Sequence, residues 1–72
     1  MPTGVVIGFT MGNGDLNIRP DDGSADLFAV KKDITGSPFI WDRVEFEPTV
    51  DQSTGRPRAR RVRIEPKGER NR

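Results

Sequence analysis

Five arginines, Arg56, Arg58, Arg60, Arg61 and Arg63, fall within eight residues near the end of this 72-residue chain. Spaced in this way they can follow a phosphate backbone, an attraction that weakens steeply with salt. A guanidinium also stacks on the face of a base. The same electrostatics suit an acidic protein surface. A plainer use is open too, in which the arginines solubilise an edge strand and pair with the acidic body of the same chain. The charge distribution is uneven enough to raise the question. Residues 1–55 hold four basic side chains against nine acidic ones, and residues 56–72 hold eight against two. Such asymmetry points to a strand or tail that faces a polyanion.

Other chemistries fail on inventory. The chain has no Cys and no His, which removes thiolate metal sites, disulfides and the commonest general base. Asp21, Asp22 and Asp26 cluster, but the segment is too short for an EF-hand loop and lacks its terminal Glu. Gly12 and Gly14 are not a phosphate loop, because no Gly-Lys-Ser/Thr follows and no helix starts there. Ser24, Ser37 and Ser53 have no His to activate them. The expectation is a protein that is not an enzyme, with no cofactor and no metal. No apolar run reaches membrane-spanning length and no signal-peptide pattern opens the chain, so a soluble cytoplasmic protein is expected.

The elements that must position these residues are short. Seventy-two residues allow one small domain, which buries only ~60% of its unfolded surface. Gly4 to Met11 is dense in β-branched residues and reads as a strand bent near Gly8. Gly12 to Asp15 is a turn by composition. A second strand runs over 16–20 and stops at Pro20. The Asp21-Asp22-Gly23-Ser24 turn leads to a third strand over 26–30, which makes a hairpin. Lys31 to Ile34 fits a single 3₁₀ turn, and Thr35 to Pro38 is loop. Val44-Glu45-Phe46-Glu47 alternates strictly and gives a fourth strand, closed by Pro48. Arg58 to Glu65 is a fifth, with Arg60, Val62 and Ile64 on one parity and Arg61 and Arg63 on the other. Five short strands without an amphipathic helix predict an all-β fold, a small five-stranded antiparallel barrel of OB type. The expected core is Val6, Ile18, Leu27, Ala29, Ile34, Val44, Phe46 and Val62. Residues 66–72 read as a frayed basic tail.

The segment Asp21-Asp22-Gly23-Ser24-Ala25-Asp26-Leu27-Phe28-Ala29-Val30 resembles the D-D-G-S-x-D-V-F-V-H segment of cold-shock domains. The resemblance extends over roughly residues 3–65. It takes in Gly4, Val6 and Phe9, then Gly14 and Ile18, Ile34 and Gly36, Val44-Glu45-Phe46-Glu47, and Gly55, Pro57, Ala59 and Val62. It implies a cold-shock-like OB-fold domain over residues 1–65, and a function in binding single-stranded RNA or DNA by stacking bases on exposed aromatic rings.

The residues that do this in the family are mostly replaced here. Phe9 and Phe28 keep their rings. The family's Trp corresponds to Gly8, its two glycine-interleaved Phe residues to Asp15 and Asn17, and its His and following aromatic to Val30 and Lys31. Stacking is worth ~1–3 kcal/mol per base, so five lost positions remove at least ~5 kcal/mol. Asp15 adds a negative charge where a phosphate should approach. Lys31 and Lys32 lie beside the platform and could contact phosphate. Phe39 and Trp41 sit in the loop after Gly36, where they could supply a new ring or pack against the barrel. Val5 and Ile7 replace outward lysines of the family, which suggests a covered surface, although plain β-propensity also explains them.

Two functions follow as expectations. One is weakened or altered cold-shock-like binding of single-stranded nucleic acid through Phe9, Phe28, Lys31, Lys32, Trp41, Arg56, Arg58, Arg60 and Arg61. The other is a protein-interaction module or small regulator that contacts its partner through Val5 and Ile7 or the remodelled face. The expected partner is nucleic acid or an acidic protein surface, not a membrane, and the chain is expected as a monomer or weak dimer.

Overall fold

A computed structural model describes residues 2–10 and 14–65. The turn expected at Gly12–Asn13 and the tail expected from Pro66 onward lie outside the described residues. Five strands, β1 (Thr3–Thr10), β2 (Asp15–Pro20), β3 (Leu27–Ala29), β4 (Arg43–Val50) and β5 (Pro57–Ile64), close into a barrel in the order β1-β2-β3-β5-β4. A single 3₁₀ turn, Lys31–Asp33, follows β3. The barrel is of OB type, and closure leaves so small a chain without two long free sheet edges. Among the described residues no helix is long and apolar enough to cross a membrane.

The pairing is antiparallel except at one seam. β3 meets β5 in parallel, through Phe28 opposite Arg58, and Ile34 bridges to Val62 in the same sense. The expectation of a wholly antiparallel barrel is corrected there. A parallel neighbour needs a long connection, and residues 30–56, which include all of β4, supply it.

The core is Val6, Leu16, Ile18, Leu27, Ala29, Val44, Phe46, Ala59 and Val62. Leu16 and Ala59 were not expected in it, and Ile34 packs against its margin, partly buried. Ala59 is explained by a bulge. Glu45 pairs with Arg63 and Glu47 with Arg60, so β5 carries one extra residue between these pairs. Arg61 takes φ 54 there, the left-handed geometry of a bulge residue. Both Ala59 and Val62 therefore point inward, three apart, and the simple alternation expected for β5 is broken.

Pro48 does not end the fourth strand, which continues to Val50. The Phe46 N–H donates to the Pro2 carbonyl at 3.1 Å, so even-numbered residues of β4 turn their nitrogens away from β5. Pro48 thus sits where its missing N–H costs no ladder bond. Gly4 is required by close approach: a Cβ there would lie 2.5 Å from the Arg19 carbonyl oxygen.

Ion pairs fasten the outside. Arg43 links three segments, holding Asp21 at the end of β2 and Glu65 beyond β5, within reach of the Thr3 hydroxyl. The Arg43 and Thr3 hydrogen bonds keep the Asp21 carboxyl below the usual carboxylate range.

Candidate nucleic-acid interface

One register row crosses four strands: Gly8, Asn17, Phe28 and Arg58. Phe28 is the only aromatic in it. The Arg56 guanidinium lies over its ring, 5.1 Å from the centroid, within cation–π range. Phe28 is half-buried, so ring and cation form one flat patch rather than two free groups.

Beyond the row lies a second aromatic pair. Phe9, near the end of β1, packs against Phe39 with centroids 5.6 Å apart and planes tilted by 49°. Phe39 is 69% exposed. A cavity of about 260 Å³ opens beside Phe9, walled by Leu16, Ile34 and Pro38, with Lys31 at its edge. Gly14 takes φ +78, and a Cβ on it would lie 3.2 Å from the Lys31 Cδ. Without a side chain at Gly14, the Lys31 stem lies across the β2 start and its ammonium group stays at the surface.

Phe39 and Trp41 belong to one four-residue turn. The Asp42 N–H donates to the Phe39 carbonyl at 2.9 Å, and the Phe39 N–H donates to the Asp42 carboxylate at 2.8 Å. Trp41 occupies the third position with φ 73, the place glycine takes in a type II turn. The turn is anchored to β1: the Trp41 N–H donates to the Val6 carbonyl at 2.8 Å and the Val6 N–H to the Asp42 carbonyl at 3.0 Å. Ile40 is half-buried, while Trp41 is 71% exposed. A bulky side chain is therefore held in a left-handed conformation with most of its surface in water. Strain of ~1–3 kcal/mol of this kind clusters at functional sites.

The β5 arginines are engaged by the body. Arg58 bonds Asp33 at 2.6 Å and approaches Asp51 at 3.4 Å. Arg60 bonds Glu47 at 2.6 Å, Arg61 lies 3.6 Å from the same carboxylate, and Arg63 bonds Glu45 at 2.8 Å. Pairing with the acidic body, the plainer of the two uses of these residues, describes their geometry. Lys31, Lys32 and Arg56 make no ion pair among the described residues.

Val5 and Ile7 are half-buried. Val5 lies between Arg19 on β2 and Arg43 on β4 in register, so its neighbours within the chain already flank it. Among the described residues no cluster of acidic side chains is placed to hold a metal ion.

Three features escaped sequence reasoning: the Phe9–Phe39 pair, the Lys31–Gly14 contact and the left-handed Trp41. The first two depend on which turns meet at one end of the barrel. The third had a signal, since Pro38 and Asp42 bracket Phe39-Ile40-Trp41 as turn residues should. No protein-family model and no curated protein matches this chain.

Proposed function

We propose that this chain is a divergent cold-shock-type barrel that binds single-stranded nucleic acid through a displaced set of rings. Phe39 and Trp41 take the stacking role, with Phe9 backing Phe39 and the Arg56–Phe28 pair extending the surface along the sheet. Lys31 and Lys32 meet phosphate. The observation that carries this reading is Trp41, exposed and held at φ 73 in a turn pinned to β1. An exposed ring on a fixed turn is open to a base without a change of backbone, and stacking is worth ~1–3 kcal/mol per base. The β5 arginines contribute little, because each is paired and must leave a carboxylate before it can bind phosphate directly.

That division of labour sets the salt dependence. For single strands the logarithmic slope is about −0.7 per phosphate neutralised. Contacts from Lys31, Lys32 and Arg56 alone give a slope of about −2, or about a twentyfold loss between about 50 and 200 mM salt. Adding four β5 arginines gives about −5 and a loss approaching a thousandfold. Fluorescence anisotropy with labelled octathymidylate and octauridylate across that range distinguishes the two, and quenching of the single Trp reports the turn. Saturable binding with the shallow slope and quenching supports the proposal. Absence of binding at low salt sinks it.

A further inference from the structure

At the end of the barrel away from the Phe9–Phe39 pair, a second concave feature has no role in this reading. An apolar groove of about 540 Å³ runs between the start of β1, the β2–β3 loop and the second half of β4. Its walls are Pro2, Pro20, Leu27, Pro48, Val50 and Pro57, and its polar rim includes Asp21 and Asp22. The size lies within the ~300–1,000 Å³ of binding pockets. Val50 is 59% exposed on its wall.

The groove borders the open side of β4. Beyond the Phe46–Pro2 bond that side presents Pro48, which has no N–H to offer. A proline at a sheet edge blocks strand addition. The groove therefore selects side chains, and an apolar wall of this depth selects large ones. Its rim carries the negative charge of Asp22, which accepts hydrogen bonds from Ser24, while the Asp21 carboxylate is already paired with Arg43.

The same chain offers a matching projection. Phe39 and Trp41 are two of its most exposed large apolar side chains, and Lys31 stands beside the Phe9–Phe39 pair. Rings and cation complement the apolar groove and the Asp22 carboxylate on its rim. Phe39 contacts Phe9 near the end of β1, while the groove takes in Pro2 and Thr3 at its start. Six or seven residues of strand put Phe39 about 20 Å from that start, Trp41 is tied to Val6 in the middle of the strand, and neither ring lines the groove of its own molecule.

We infer that the Phe39–Trp41 turn of one molecule seats in the Pro48–Val50 groove of a second copy of this chain. The two surfaces differ, so the contact is heterologous and propagates head to tail into open chains or rings. This inference is independent of nucleic-acid binding, since no oligonucleotide takes part.

Sedimentation of the full chain alone tests it, from about 10 μM to about 1 mM, a range that resolves weak contacts. The wild type is expected to gain mass continuously, passing that of two chains. The Phe39→Ser/Trp41→Gly variant lacks the projection and the Val50→Glu variant spoils the groove; each is expected to stay monomeric by itself. All three changes fall on exposed side chains, and a melting curve by circular dichroism verifies folding. Mixing the two variants leaves one intact contact per pair, so a complex of one to one that grows no further is expected. A wild type that stays monomeric at the highest concentration overturns the inference. So does a wild type that stops at a discrete dimer, or association that persists in the Val50→Glu variant.

Discussion

A tryptophan with positive φ and most of its surface in water is a poor choice for stability. The left-handed conformation costs about 1–2 kcal/mol for a side chain with a Cβ, and Trp41 is too exposed to recover much by packing. Glycine removes that cost but gives the unfolded chain more freedom. The balance predicts that Trp41→Gly stabilises by about 0.5–1 kcal/mol, which raises the melting temperature by roughly 2–8 °C in a domain this small. The same variant should lose oligonucleotide affinity, so calorimetry and anisotropy should move in opposite directions. A variant that loses both would mean that the ring supports the fold. Asp21 makes the contrary case, a residue that serves structure. Its carboxyl is held low chiefly by the hydrogen bond from Arg43 and next by that from Thr3. A lowered folded-state pKa contributes stability that is present above the unfolded value and lost as pH falls through the folded one. Asp21→Asn should therefore lower stability at neutral pH and flatten its decline below about pH 4, as read from urea midpoints across pH. An unchanged acid limb would assign that decline to other carboxylates, of which Asp22 and Asp51 are also held low by hydrogen bonds from Ser24 and Thr54.

At the level of strands, one register row of the sheet is nearly free of rings. Gly8, Asn17 and Phe28 share one register row. A Cβ on Gly8 would meet nothing closer than the Asn17 amide nitrogen at 3.5 Å, an ordinary contact. Gly8→Trp with Asn17→Phe should thus fold and add two rings beside Phe28. At ~1–3 kcal/mol per stacked base, the gain is about fivefold or more for each ring in anisotropy titrations with octathymidylate. Equal affinity would place the bases elsewhere on the molecule. Strands β2 and β4 were legible because their apolar residues alternate with period two, as Leu16, Ile18 and Val44, Phe46 do. What was hidden came from register rather than pattern. The bulge at Arg61 changes which residues of β5 face inward, and nothing in Arg-Ala-Arg-Arg-Val announces it. Pro48 misled for a related reason: a proline ends a strand only when its nitrogen faces a partner, and that depends on the pairing of Phe46 with Pro2. The arginine run was visible as charge, but its partners Glu45, Glu47, Asp33 and Asp51 could be assigned only once β4, β5 and the 3₁₀ turn were placed.

For the whole molecule, the two halves of the charge distribution meet along the β4–β5 seam and largely cancel there. Exposed pairs of this kind contribute ~0–1 kcal/mol each, so their larger effect is to withdraw cations from the surface. The remaining assets sit apart: exposed rings with Lys31 toward one end, an apolar groove with acidic rim at the other. If one turn both stacks on bases and seats in a neighbouring molecule, the two events exclude each other. Linkage then makes the effect reciprocal, each ligand weakening the other by the same factor. Octathymidylate added to the concentrated protein should dissolve head-to-tail assemblies into monomers with one oligonucleotide bound. In the other direction, apparent oligonucleotide affinity should fall as total protein rises, and the Val50→Glu variant, which cannot assemble, should show no such fall. Sedimentation with a labelled oligonucleotide follows both species at once. Assemblies that keep their mass while binding oligonucleotide would separate the two surfaces and leave the Phe28–Arg56 patch as the place where bases stack.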